Sequence, residues 1–189
     1  DFDNPVPVGE VGEILLRPKK PGAMFSGYWN DAGRTLEGWR NLWHHTGDLG
    51  RLDSNGCITW VDRKKDSLRR KGENISSYEL EMALLKHDII GEVAVHAVRP
   101  AGATEDEVKA CIVVKAGCEF DMLAFARFIN QTLPHYAIPR YVELMPALPR
   151  NPIGRVQKFE LRDRGITAVT SDLLAEGLVT GRRDAKKFD

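Results

Sequence analysis

The strongest constraint on the fold is a change of pattern between Arg63 and Gly72. Those ten residues hold six Lys or Arg. Before them the chain carries strand and turn signals; after them helical and strand periods take turns. "GEILLRP" (12–18) reads as a strand bounded by Gly and Pro. "PGAMFSGYWN" (21–30) reads as a loop, and "DAGRTLE" (31–37) as a short helix capped by Asp31. In "LWHHTGDLGRLDSNGCITWVDR" (42–63), "DSNG" is a turn signal between two strand-like runs, which predicts a hairpin.

Beyond the basic run, "SSYELEMALLKH" (76–87) opens on a capping Ser, and Leu80, Ala83, Leu84 and His87 recur at helical spacing. "EVAVHAVR" (92–99) and "VKACIVVKA" (108–116) read as strands. "DMLAFARFINQTL" (121–133) is a helix capped by Asp121 and stopped by Pro134. "RYVELM" (140–145) is a further strand. The order predicts an α+β fold: a β-rich segment, then a small domain whose short sheet is flanked by helices. Three segments are expected: residues 1–62, 63–167 and a frayed tail at 168–189.

The basic run alone suggests nucleic acid, but Lys+Arg and Asp+Glu are 27 each, so the net charge is zero. A dedicated polyanion binder carries a basic excess. Cys57, Cys111 and Cys118 are odd in number and show no CxxC spacing, so no disulfide framework or zinc site is expected, and a reducing, cytoplasmic setting fits. No apolar run approaches the ~18 residues of a membrane span. A chain that starts at Asp1 reads as a piece of something longer.

"HTGDLG" (45–50) has two readings from its residues: a β-turn with an Asx bond, or a carboxylate held out to the vicinal hydroxyls of a ribose. Together with "VDRKKDSLRRKGENISSYELE" (61–81), it resembles the adenylate-forming superfamily of acyl-CoA ligases, luciferases and peptide-synthetase adenylation domains. "LPHYAIP" (133–139) is similar to that family's Leu-Pro-x-Tyr-x-Ile-Pro signature, and "LPRNPIGRVQKFELR" (148–162) to its C-terminal catalytic loop. Four motifs in order make the signal. "RRKGENISSYELE" looks most like the carnitine- and crotonobetaine-CoA ligase branch.

The resemblance implies the end of a large N-terminal domain followed by the whole small C-terminal domain. It implies ATP (released as AMP), Mg²⁺ and coenzyme A as participants, with a small carboxylate as substrate. Asp48 and Arg63 match the nucleotide-binding positions, and Lys65 the hinge about which the small domain rotates between two half-reactions. Gly72 matches the glycine beside the pantetheine tunnel. Arg69, Arg70 and Lys71, which lead into it, are candidate coenzyme A contacts; a solvated strand face and a nucleic-acid patch are the other readings of these cations.

One position departs from the family. Where the family has Gly-Lys, this chain has Gly154-Arg155. The family's Lys bridges the α-phosphate and the substrate carboxylate. Arg155 keeps the charge on a planar fork that does not deprotonate. Lys158, three residues on, is the alternative catalytic cation. No Gly-rich phosphate loop is present, so the chain by itself is expected to be inactive. Two rival readings are an adenylation domain that loads a carrier-protein thiol, and a non-catalytic basic binding module. No metal site and no nucleic-acid partner are expected in the leading one.

Overall fold

The computed structural model describes residues 3–180. Its contacts divide the chain into two compact units, Asp1–Lys65 and Asp66–Asp189.

The first unit is an antiparallel sheet of β1 (Val11–Leu16), β2 (His44–Leu52) and β3 (Ile58–Arg63), in that order. The β2–β3 hairpin closes through Asp53, whose Oδ1 accepts the Asn55 and Cys57 N–H groups, each at 2.8 Å. That is the local bond that makes Asp a turn residue. α1 (Ala32–Gly38) precedes β2, and Asp31 Oδ1 caps it by accepting the Arg34 N–H at 2.9 Å. β2 slips register against β3 between Leu49 and Gly50, so Asp48 pairs with Arg63.

The second unit opens with a two-stranded hairpin, β4 (Leu68–Arg70) and β5 (Glu73–Ile75). A mixed sheet follows, in the order β6 (Ile90–Val98), β7 (Glu107–Val114), β8 (Tyr141–Leu144) and β9 (Ser171–Asp172). Only β7 and β8 are parallel, and α3 (Met122–Thr132) makes the crossover. The period of two along the strands explains the layers. Val93, Val95, Val108, Ala110 and Ile112 face α2 (Ser77–Leu84) and α3, whose Leu80, Leu84, Phe125 and Ile129 complete the main core. Ala94 and Cys111 point the other way, toward Leu161 of α4 (Lys158–Arg164). A strand buried on both faces needs apolar residues at nearly every position, which accounts for "VKACIVV".

The helix ends follow the expected signals. Ser76 Oγ accepts the Glu79 N–H at 3.1 Å, and Asp121 Oδ1 accepts those of Leu123 and Ala124 at 2.8 and 3.1 Å. The C-terminal expectation needs correction. Residues 171–179, assigned above to a tail, belong to the core: β9 pairs with β8, and Leu173 is fully buried. Burying such a side chain is worth about 2 kcal/mol, enough to hold a short segment down. Arg140 adds a two-pronged ion pair to Asp172 at 2.8–3.2 Å. The remaining tail positions, 181–189, lie outside the described residues.

One polar cluster lies under α4. Lys109 of β7 and Glu143 of β8 are both buried, and Lys109 Nζ lies 2.5 Å from Glu143 Oε2 and 2.5 Å from the Gly165 carbonyl. Glu143 also accepts from Arg164, Thr167 and Thr170. A charge this deep survives only when paired and hydrogen-bonded.

Candidate functional site

In the first unit the family-like residues gather where β2 meets β3. Arg63 Nε lies 2.8 Å from Asp48 Oδ1, and both side chains remain part-exposed. Beneath them sits Glu13, on the neighbouring strand β1. Its carboxylate accepts from Lys64 Nζ at 2.7 Å and the Gly47 N–H at 3.2 Å, and lies 3.3 Å from His45 Nδ1. Burial pushes the Glu13 carboxyl upward, but the Lys64 ammonium, the His45 ring and the Gly47 N–H outweigh it and hold the group below its usual range. Thr46 Oγ1 donates to the Ile14 carbonyl at 2.8 Å and accepts the Asp48 N–H at 3.1 Å. Gly47 turns with φ +72°, and its carbonyl accepts the Lys64 N–H at 2.8 Å. Asp48 is therefore held on a fixed backbone, with its carboxylate part-exposed and Oδ1 covered beside Arg63. Lys65 is exposed and is the last residue of this unit.

In the second unit two features carry the candidate residues. The β4–β5 hairpin turns through Lys71 and Gly72, both at positive φ (53° and 84°). A two-residue turn with both central residues left-handed matches the twist of its strands. That accounts for Gly72; a Cβ there would meet nothing within 4 Å. Arg69 points outward, but Arg70 does not. Arg70 is 8% exposed. Its guanidinium donates to the Tyr136 and Ile138 carbonyls at 3.2 and 2.8 Å and lies 2.7 Å from Glu107 Oε2. The expectation that Arg70 grips coenzyme A is corrected: its donors tie the hairpin to the "HYAIP" turn and to β7.

The second feature is the loop from Arg150 to Val156, a miniature hairpin closed by the Arg150–Val156 bridge. Asn151 organises it. Its Oδ1 accepts the Ile153 and Arg155 N–H groups at 3.2 and 2.8 Å, and its own N–H and carbonyl bond Arg155 O and Gly154 N, each at 2.9 Å. Gly154 supplies the positive φ of 82°. Arg155 projects from this frame exposed, and its guanidinium has no bond or ion pair to any described residue. Lys158 is the opposite case. Its Nζ lies 2.6 Å from Glu81 Oε1 and donates to Ser77 Oγ at 2.7 Å, with the side chain 15% exposed. The expectation that Lys158 serves as the catalytic cation does not fit this geometry.

The basic run thus dissolves into unequal parts. Arg63, Lys64 and Arg70 pair with Asp48, Glu13 and Glu107. Reading the sequence missed Glu13 and Asn151. "NPIG" is itself a turn signal that points to the second; nothing local marks the first. Among the described residues no group of three or more His, Cys, Asp or Glu stands together to hold a metal, and no helix is long and apolar enough to cross a membrane.

Comparison with known proteins gives a consistent picture. Residues 79–155 match the family described as the AMP-binding enzyme C-terminal domain. The chain is 36% identical over 163 residues to a long-chain-fatty-acid–CoA ligase of Escherichia coli O6:H1 (strain CFT073), covering 86% of this chain and 28% of that protein. It is 32% identical over 165 residues to a crotonobetaine/carnitine–CoA ligase of Escherichia coli O8 (strain IAI1), with 86% and 31% covered. Among solved structures, the anthranilate CoA ligase AuaEII in complex with anthranoyl-AMP superposes with a TM-score of 0.74 at 26% identity, over 85% of this chain and 31% of that one. The chain spans less than a third of the length of these relatives.

Proposed function

We propose that this chain, whose residues 79–155 match the AMP-binding enzyme C-terminal domain family, is the C-terminal region of an AMP-forming acid–CoA ligase. A carboxylate oxygen attacks the α-phosphorus of ATP and pyrophosphate leaves, giving an acyl-adenylate. The thiol of coenzyme A then attacks the acyl carbonyl, and AMP leaves. Mg²⁺ arrives on the ATP phosphates as part of the substrate. The acyl pocket and the phosphate loop belong to a large N-terminal domain.

Each residue has a task in this reading. Asp48 binds the ribose hydroxyls, with Arg63 beside it to reach ribose or phosphate. Lys65 is the hinge; the division of the contacts after Lys65 supports that role. Arg155 neutralises charge that builds on the α-phosphate and the attacking carboxylate. Arg69, Lys71 and the Gly72 turn line the approach of coenzyme A. The observation that carries the reading is Arg155: an exposed guanidinium with no partner among the described residues, on the returning arm of a loop locked from within. The similarity to a long-chain-fatty-acid–CoA ligase and a crotonobetaine/carnitine–CoA ligase favours coenzyme A over a carrier-protein thiol. The internal pairing of Arg63, Lys64 and Arg70 weighs against a nucleic-acid module.

The test is ATP–pyrophosphate exchange with a panel of carboxylic acids. The full-length protein that carries this chain exchanges pyrophosphate and forms acyl-CoA, while the 189-residue chain alone makes no acyl-adenylate. Acyl-AMP formed by the chain alone, or none formed by the full-length protein with any acid, refutes the proposal.

A further inference from the structure

We propose that Lys158 is a positioning residue: it anchors the outgoing end of the 150–156 loop and thereby sets where Arg155 points. This rests on the function proposed for Arg155. The loop is closed by its own bonds at the top. Asn151 holds the Arg155 N–H at 2.8 Å, and Arg150 donates to the Gly154 carbonyl at 2.5 Å and to Glu92 Oε2 at 2.6 Å. Closed loops of this kind still pivot as bodies about their two feet. The incoming foot is fixed by Glu92 at the edge of the sheet. The outgoing foot is residues 156–158, where the chain enters α4.

The backbone already ties part of that foot, through the Arg150–Val156 bridge and the Gln157 N–H, which donates to the Pro149 carbonyl at 2.8 Å; Lys158 adds the side-chain anchor that holds it to α2. Its ammonium lies between Glu81 and Ser77, four residues apart on α2 and therefore on one face of that helix. The same Glu81 Oε1 accepts the Val95 N–H at 2.7 Å, from the middle of β6. Three elements (α2, β6 and the start of α4) thus converge on one carboxylate oxygen. Lys158 and Glu81 are about 15% exposed and Ser77 is fully buried, so the contact is sheltered from solvent screening. Only Val156 and Gln157 separate Lys158 from Arg155, so freeing the foot shifts the root of the guanidinium. The charge of Lys158 is spent inside the unit, and its effect on chemistry runs through Arg155.

The test has two readouts. The first uses the 189-residue chain and asks nothing of activity. In Lys158→Met, hydrogen exchange at the Gly154 and Arg155 amides rises about tenfold or more, while the β6–β7 amides keep their protection. Lys158→Arg, which retains a donor for Glu81, restores most of the protection. If Lys158→Met does not fold, Glu81→Gln, which keeps an acceptor for Val95, shows the same selective release. The second uses the full-length protein. Lys158→Met lowers kcat for ATP–pyrophosphate exchange about tenfold to a hundredfold with the KM for ATP within about twofold, as for a group misplaced by roughly 1 Å. In an Arg155→Ala background the same change lowers kcat less than about twofold, because the positioned group is gone.

Unchanged loop exchange with a fallen kcat overturns the proposal in favour of direct contact by Lys158. Faster exchange throughout the unit overturns it in favour of general stability. Equal losses with and without Arg155 also overturn it. A full-length protein inactive in every form defeats the function proposed for Arg155, and the loop exchange then decides alone whether Lys158 anchors the foot.

Discussion

Replacing Arg70 by Met separates a structural cation from a ligand-binding one. The guanidinium ties three groups: the carbonyls of Tyr136 and Ile138 and the Glu107 carboxylate. Burial lowers the Arg70 pKa, partly offset by Glu107, which is the mark of a charge held in the interior by its partner. Met fills much of the volume and leaves two carbonyls without their donor. Glu107 keeps only Arg140, at 3.7 Å. Breaking a buried pair from one side costs about 3–5 kcal/mol; with Arg140 retained, about 3 kcal/mol is expected. At a urea m-value of about 2 kcal/mol/M, the second unit's midpoint falls by roughly 1.5 M. The assay has a built-in control. Trp29, Trp39, Trp43 and Trp60 all lie in the first unit, so tryptophan fluorescence follows that unit while far-UV circular dichroism follows the helices of the second. Arg70→Met shifts the dichroism transition and leaves the fluorescence one in place. Arg69→Met, at an exposed neighbour, moves neither by more than the equivalent of about 0.5 kcal/mol. A loss below about 1 kcal/mol for Arg70→Met refutes the structural assignment and returns Arg70 to the coenzyme A contacts.

Two further predictions concern the buried polar groups. His96 is 1% exposed; burial pushes its pKa from 6.5 down to about 4, helped by the cations Lys109, Arg162 and Lys158 and opposed by the Ala97 carbonyl. The unfolded chain therefore binds a proton that the folded chain refuses. That stability is full above the unfolded value and falls as the pH drops through the window from 6.5 toward 4. About 2 kcal/mol is lost between pH 8 and pH 5, and His96→Gln flattens this limb in urea titrations; an unchanged slope contradicts the assignment. Lys109→Met leaves Glu143 buried with Arg164 and two threonines and costs about 3 kcal/mol or more, whereas adding Glu143→Leu recovers most of it, since an apolar pair of similar volume is often as stable as a buried ion pair. Calorimetric melting of the single and double variants checks this, and a double variant no better than the single one contradicts it.

The elements legible in the sequence are those whose causes are local. Asp31, Ser76 and Asp121 cap the helices they precede, and "DSNG" closes its hairpin. The strand read over 92–99 is β6, whose alternate residues face the two clusters of the core. The features that escaped depend on distant partners or on rare local choices. Arg70 looks like its neighbour Arg69 until the Tyr136 and Ile138 carbonyls, 66 and 68 positions away, are brought to it. Lys109 interrupts an apolar strand with no sign that Glu143 waits on the next one. The β4–β5 hairpin hides because Lys71 occupies a left-handed turn position where Asn or Gly is the usual signal. β9 has two residues, too few to show a period. Of the candidate site, Asp48, Arg63 and Arg155 are proposed from the family resemblance, and no local pattern marks them. The engagement of Lys158 with Glu81 and Ser77 is visible only in three dimensions.

In the proposed function Arg155 acts where the family uses Lys. ATP–pyrophosphate exchange by the full-length protein tests it most directly, with Arg155→Ala and Arg155→Lys compared against the parent. Arg155→Ala is expected to lower kcat about a hundredfold to a thousandfold, as when one charge-stabilising donor is removed from a reacting centre, and Arg155→Lys to keep most of the rate. Exchange by Arg155→Ala within about twofold of the parent, set against that predicted loss, contradicts it.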